Sequence, residues 1–355
     1  MDKAAWVRIL TGKVFDDVEL LRFRGSGGFA LVFEGRIISS GDMCAVKVLI
    51  PGSHAQFVAE FQRESRLLTK IKRVSNVVEI DGVGQGVVEV SAAGGITVDL
   101  SVPYMRLELA DGALNELVMA PQEMEWVDKF LLWRDAVLGV HQMHLKGIVH
   151  RDIKTENCLV FDLPGQKARV LSKVADLGRS RDLALPAEHG ADQYMIGLGD
   201  LSFAPPEFIW GQGNDSETGH RCADLYGLGS LLFEIVMGIG ITSHALSPTG
   251  DDVMRNLQNA KAGVQTDLSG LRGQYTSSIR EFESVLPNIV ARDAAELLKT
   301  LCHPVPSERL RIVAGGRRRR STASLEWLLR RADILTRRLR SEAKSNTKPE
   351  LAGKK

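Results

Sequence analysis

The sequence predicts an α+β chain in two parts: a small, β-rich lobe with one main helix, then a larger and mostly helical lobe. Three observations carry this. Short β-branched and apolar runs crowd the first 110 residues, at Leu20–Phe23, Leu31–Arg36, Met43–Leu49, Val77–Ile80, Gly86–Ser91, Ile96–Leu100 and Val102–Leu109, the signature of strands. One helical periodicity interrupts them over Gln56–Lys72, through Phe57, Phe61, Leu67, Leu68 and Ile71. After the break at Asp111-Gly112, apolar residues recur at helical spacing over 123–146, 224–238 and 291–301.

Composition narrows the class. Apolar residues make up 44% of the 355, enough for a core in each lobe. No apolar run is long enough to span a bilayer. Met1–Trp6 offers neither a leader's apolar region nor a glycine for myristoylation. Cys44, Cys158, Cys222 and Cys302 lie far apart without a C-x-x-C pair, against a zinc site or a disulfide framework. A cytoplasmic protein with buried thiols is expected. Residues 311–355 hold fourteen Lys/Arg and four Asp/Glu, a net of +10, which leaves 1–310 at −9 against a whole-chain +1. A mildly acidic body thus carries a basic tail.

In chain order, residues 1–18 read as a lead-in. Between the first two strands lies Gly25-Ser26-Gly27-Gly28-Phe29-Ala30-Leu31-Val32. Its glycines let main-chain N–H groups approach a phosphate, or simply make a hairpin turn. Lys47, on the third strand, is flanked by apolar residues and is costly unless paired. Glu64 shares a helix face with Leu67, Leu68 and Ile71 and is the candidate partner, whereas Glu60 reads as solvated. Gly94-Gly95 is a hairpin turn. The helix over 123–146 leads to His150-Arg151-Asp152-Ile153-Lys154-Thr155-Glu156-Asn157, which packs a candidate base, two cations and a candidate metal ligand into eight residues. Two short strands follow, Cys158–Phe161 and Ala168–Ala175, then Asp176-Leu177-Gly178. Residues 179–203 read as polar loop, Asp224 as a carboxylate near a helix N-terminus, and 241–290 as surface.

The order of these segments resembles the eukaryotic-type protein kinase family from about residue 20 to residue 310, and implies a bilobal protein kinase-like fold with an antiparallel-sheet N-lobe. The motif set is a known one. The resemblance implies a serine/threonine kinase using ATP and magnesium, or manganese, on protein substrates, with autophosphorylation. It places the N-lobe at 19–108 and the C-lobe at 109–312. Gly25, Gly27 and Val32 match the glycine-rich loop, and Ser26, Gly28, Ala45 and Leu159 join them around the nucleotide. Lys47 matches the lysine on the α- and β-phosphates, Glu64 its partner, and Leu107 the gatekeeper, with Glu108–Ala110 as the adenine-binding hinge. Asp152 matches the catalytic base, Lys154 the catalytic-loop lysine, and Asn157 and Asp176 the magnesium ligands. Leu177 and Gly178 complete the D-F-G position, Glu207 belongs to A-P-E, Arg309 is its partner, and Asp224 supports the catalytic loop. A pseudokinase scaffold and a small-molecule kinase are the competing readings.

The sequence departs from the family pattern in four places. Ala30 replaces the loop's third glycine and stiffens its tip. Leu177 replaces the phenylalanine. The stretch from Asp152 to Asp176 is long, with 162–171 as an extended hairpin. Asp200 stands where a threonine would bridge the base and Lys154; it can accept from Lys154 or repel Asp152. Arg151 implies an activation loop that neutralises it, and Asp182, Glu188, Asp192 or Asp200 is expected to replace a phosphate there. Residues 313–340 read as a basic amphipathic helix. Its stripe (Leu325, Leu328, Leu329, Ala332, Leu335, Leu339) can dock on the larger lobe, and its 317–340 basic face can meet a partner or acidic surface. Nucleic acid is not expected, and 341–355 are expected to lack structure.

Overall fold

The computed structural model describes residues 2–91, 97–120, 122, 124–162, 170–310 and 323–346. The chain divides into two compact units. The first comprises Met1–Val74, Val78–Asp111 and Asp176–Gly178; the second comprises Ser75–Val77, Gly112–Ala175 and Arg179–Lys355.

The first unit opens on α1 (Lys3–Leu10), where a plain lead-in was expected. Asp2 caps it by accepting from the Ala5 N–H at 3.1 Å. Leu10 is fully buried, and Trp6, Val7 and Ile9 pack on the same core. The strands β1 (Val14–Phe15), β2 (Val18–Ser26), β3 (Ala30–Ile37), β4 (Met43–Leu49), β5 (Ile80–Ser91) and β6 (Thr97–Leu107) form one antiparallel sheet in the order β1-β2-β3-β4-β6-β5. The second strand pair of the sequence is therefore one long hairpin instead of four short runs. Residues 81–85, left between two expected strands, lie within β5, Gly84 among them, and Gly86 follows. A Cβ on Gly84 would meet the Tyr104 ring at 2.6 Å, and one on Gly86 would strike Phe15, so their missing side chains make room for rings. The expected Gly94-Gly95 turn lies outside the described residues. The single long helix, α2 (Ala55–Lys70), buries Phe61, Glu64, Leu67 and Leu68.

In the second unit, β7 (Gly112–Ala113) leads into α3 (Leu114–Val118) and α4 (Trp126–Leu145). The strands β8 (Ile148–Val149), β9 (Cys158–Asp162), β10 (Val170–Val174) and β11 (Arg181–Asp182) make two small sheets, β10-β9-β7 and β11-β8. Most of the expected 162–171 hairpin tip lies outside the described residues. The stretch 179–203, expected to be loop, contains β11 and α5 (Ala191–Ile196). It is followed by α6 (Pro206–Ile209) and α7 (Glu217–Met237), the apolar helix of the core. The N-cap of α7 is Ser216, so Asp224 lies inside the helix and does not cap it. The expected surface stretch 241–290 holds α8 (Ile241–Leu246), α9 (Gly250–Lys261) and α10 (Arg272–Val285). These bury Val253, Leu257, Tyr275, Ile279 and Phe282. Their apolar residues are sparse but fall on one face each, a weak signal in a polar sequence. After α11 (Asn288–Leu301) and α12 (Pro306–Arg309) comes α13 (Glu326–Asn346).

The last helix packs against α4 and α11 of its own unit. Leu328, Ala332, Leu335 and Leu339 are at most 3% exposed, and Arg134 pairs with Asp333 at 2.5 Å. Its apolar stripe is thus covered by the chain itself, while Arg330, Arg331, Arg337, Arg338 and Arg340 stay exposed. Residues 341–346, expected to lack structure, form its last turns; 311–322 and 347–355 lie outside the described residues. Among the described residues no helix is long and apolar enough to cross a membrane.

Candidate active site

In the first unit the geometry centres on Lys47. β4 presents it and α2 presents Glu64, and their ion pair closes at 2.6 Å with side chains 12% and 2% exposed. Asp176 lies 3.5 Å from the same ammonium. Burial works against the Lys47 charge, but the Asp176 and Glu64 carboxylates outweigh it and raise its pKa. Burial pushes the Glu64 carboxyl up despite Lys47. Glu60 is buried, not solvated. Its helix face meets the Asp176–Gly178 segment: its Cβ is 3.6 Å from where a Gly178 Cβ would stand, and Arg63 donates to the Gly178 carbonyl at 2.7 Å. Asp176 has a left-handed backbone, φ 57°, and Leu177 and Gly178 are buried.

The glycine-rich segment is a tight hairpin. Gly25 pairs with Val32 and Ser26 with Leu31, and the Gly27 N–H reaches the Ala30 carbonyl at 3.0 Å. A Cβ on Gly25, Gly27 or Gly28 would have no neighbour within 4 Å, so the segment is open to a ligand. Ala30 is not at the tip. It begins β3, buried opposite Leu49, so a methyl there fills core and leaves the tip unaffected. Leu107 is buried and pairs with Ala45. The Glu108 N–H is taken by the Glu79 carbonyl, and Arg24 donates to the Ala110 and Asp111 carbonyls at 3.3 and 2.8 Å.

In the second unit the geometry centres on Asp152, 9% exposed. Asp224 supports its loop from within. One Asp224 oxygen accepts from the Arg151 N–H at 2.7 Å, the other from the His150 N–H and His144 Nε2 at 2.8 Å each. Burial works against the Asp224 charge, but these hydrogen bonds, the one from His144 foremost, hold its pKa below the ordinary range. His150 accepts from the Asp152 N–H at Nδ1, so Nε2 carries the proton that reaches the Ala175 carbonyl at 3.0 Å. Glu234 takes both the N–H and the hydroxyl of Thr155, with burial pushing its carboxyl up. Glu234 and His144 were not singled out in the sequence. Both sit among apolar helix residues, where only a missing partner would have flagged them.

Around the Asp152 carboxylate, Oδ1 accepts from the Asp200 main-chain N–H at 3.0 Å. Oδ2 accepts from Arg179 Nη1 at 3.1 Å and Asn157 Nδ2 at 3.3 Å. The Asp200 side chain turns the other way, to Lys154 at 3.1 Å, and Lys154 also meets Glu156 at 2.8 Å. The expected conflict between two carboxylates is thus resolved by orientation: a backbone donor, not the Asp200 carboxylate, faces Asp152. Burial opposes the Asp200 charge, while the Ser202 N–H and Lys154 hold its pKa down. A shallow cleft beside Asp152 is lined by Ile153, Gly199, Asp200, Phe203 and Pro205. Leu159 lies on β9, paired with Ala113 and Lys173.

Arg151 stacks on the Tyr194 ring, 5.2 Å from its centroid. Of the carboxylates expected beside it, Asp200 pairs with Lys154 and Asp192 with Lys261. Glu207 and Arg309 form a buried bidentate pair at 2.7 and 2.8 Å, and the guanidinium also lies over Tyr226.

The family model of the protein kinase domain matches residues 18–315. The chain is 29% identical over 222 residues to the serine/threonine-protein kinase pkn2 of Myxococcus xanthus, covering 62% of this chain and 24% of that protein. It is 31% identical over 232 residues to CBL-interacting protein kinase 20 of Oryza sativa subsp. japonica, covering 63% and 45%. It is 25% identical over 237 residues to dual specificity testis-specific protein kinase 1 of Rattus norvegicus, covering 66% and 34%. The chain therefore spans less than half the length of these relatives. With the family model spanning both units, the chain belongs to the protein kinase family.

Proposed function

We propose that this chain transfers the γ-phosphoryl group of ATP, with magnesium, to serine and threonine hydroxyls of proteins, including its own. The observation that carries the reading is the Asp152 carboxylate, at the rim of a cleft and backed by a loop that buried Asp224 holds at two main-chain N–H groups. Such a carboxylate can orient an acceptor hydroxyl and take its proton. The hydroxyl oxygen then bonds to the γ-phosphorus as the bond to the β–γ bridging oxygen breaks, and ADP leaves with that electron pair. Lys47, held charged by two carboxylates, suits the α- and β-phosphates, and the open main chain of Gly25–Gly28 suits close approach to them. Lys154 suits the transferred phosphoryl group.

The expected metal ligands fit a hard cation. Asn157 gives its amide nitrogen to the Asp152 main chain at 2.7 Å, so its other side-chain atom is a carbonyl oxygen, and Asp176 brings a half-exposed carboxylate. Oxygens of this kind suit magnesium, which keeps several waters and phosphate oxygens. Bound there, the metal would neutralise phosphate charge. The names of the similar proteins favour serine and threonine acceptors, and four free, buried cysteines suit the cytoplasm.

The test is to incubate the protein with ATP and magnesium, alone and with a protein acceptor, and map phosphorylated residues by mass spectrometry. Phosphoserine or phosphothreonine, absent when magnesium is chelated, is the expected result. ADP formation with no phosphorylated residue would contradict it.

A further inference from the structure

The Arg179 guanidinium beside Asp152 takes no part in the transfer proposed for this chain. Arg179 follows Gly178 directly, and no motif of the sequence assigns it. Its guanidinium meets Oδ2 of Asp152 at 3.1 Å. The other donors to this carboxylate belong to the loop's own framework: the Asp200 N–H at Oδ1 and the Asn157 amide at Oδ2. A carboxylate offers about four lone-pair positions, and three are filled. The Asp200 and Asn157 donors are fixed by backbone and by burial. Arg179 is the exposed one, with a side chain 39% exposed against 9% for Asp152, so water can solvate it away from that contact.

We propose that Arg179 is a gating residue of the acceptor site, competing with the substrate hydroxyl for Oδ2 of Asp152. The proposal rests on Asp152 being the proton acceptor. A hydroxyl can use that oxygen fully only when the guanidinium swings aside. With both partners ionised, the guanidinium–carboxylate bond outcompetes that of an uncharged hydroxyl of equal geometry, so the arginine is an internal competitor for the acceptor. The contact lies within the second unit, while Lys47 and Gly25–Gly28, expected to hold the phosphates, belong to the first. Its effect therefore falls on the acceptor and spares ATP. When only a fraction of molecules has Oδ2 available, the apparent acceptor affinity drops by that fraction.

The experiment measures steady-state transfer to a serine-containing acceptor peptide by the full chain, its Arg179→Ala and Arg179→Lys variants, and Asp152→Asn. The expected result for Arg179→Ala is an acceptor KM about three- to fivefold lower, the scale of a half-exposed ion pair, with ATP KM and kcat unchanged. Arg179→Lys should lie between it and the parent, because an ammonium keeps the charge but loses the planar fork. Arg179→Gln, which keeps the side-chain length, replaces Arg179→Ala if the latter fails to fold. An unchanged or raised acceptor KM in a folded variant, or a fall in kcat, overturns the proposal: Arg179 then holds Asp152 in place or serves the transfer itself. Absence of transfer by the parent and by every Arg179 variant, or full transfer by Asp152→Asn, overturns the underlying kinase reading instead.

Discussion

The two units hold their charges in different ways. In the first, Lys47 and Glu64 are nearly sealed from water and answer each other. In the second, Asp152 sits at the rim of a cleft, and its carboxylate is shared among Asp200, Asn157 and the half-exposed Arg179. A buried pair has no substitute partners, so removing one member strands the other. Asp152 is also buried, but one of its partners, Arg179, is 39% exposed and can be exchanged at little cost. Partners that are themselves buried hold a charge in place, whereas a half-exposed partner such as Arg179 leaves it exchangeable.

The comparison can be broken first at a pair that is buried but lies in the second unit. If burial and not location decides, Arg309→Ala should cost about 3–5 kcal/mol by stranding Glu207, read as a shifted midpoint in urea unfolding. A loss of under about 1 kcal/mol would contradict the rule. Next in size is Lys47→Met, which strands Glu64 and Asp176. Transfer should fall about a hundredfold in an acceptor-phosphorylation assay, with the fold intact by circular dichroism. A near-parental rate would remove Lys47 from the phosphate-binding role.

The loop support gives a pH-dependent test. The Asp224 carboxyl is held below its ordinary value of 3.8. Its stabilisation is thus complete above that pH and is lost as pH falls through the lower, folded-state value. Asp224→Asn should lose about 2 kcal/mol at neutral pH, the worth of hydrogen bonds to a charged group. It should also show a flatter acid limb of stability against pH; an acid limb identical to the parent's would contradict the assignment. The smallest effect belongs to Asp200→Thr, less than about fivefold in rate. The main-chain N–H that reaches Asp152 is kept, the lost carboxylate is 37% exposed, and Lys154 keeps its contact to Glu156. A loss above a hundredfold would show that the carboxylate itself is essential.

What the sequence disclosed follows the same division. Lys47 with Glu64 and Glu207 with Arg309 were legible as pairs because a buried charge demands a partner and the family order named it. Asp224 was legible as a support, but its place inside α7 was not, since a carboxylate before an apolar run also reads as a cap. Arg179 was invisible: an arginine after Asp-Leu-Gly carries no local pattern, and its contact to Asp152 comes from the turn of the chain. The orientation of Asp200, with backbone to Asp152 and side chain to Lys154, is likewise a property of the turn and not of residue type. Glu60 was misread as solvated because helix periodicity alone does not reveal that the Asp176–Gly178 segment returns to cover it.

The central claim is that Asp152 serves the acceptor while other groups hold ATP. Its most direct test is the initial rate of γ-phosphoryl transfer to a serine acceptor by the parent and by Asp152→Asn, with ATP binding measured on both. The account predicts a rate about 10³-fold lower in the variant with ATP affinity unchanged. Transfer at the parental rate by Asp152→Asn would contradict it.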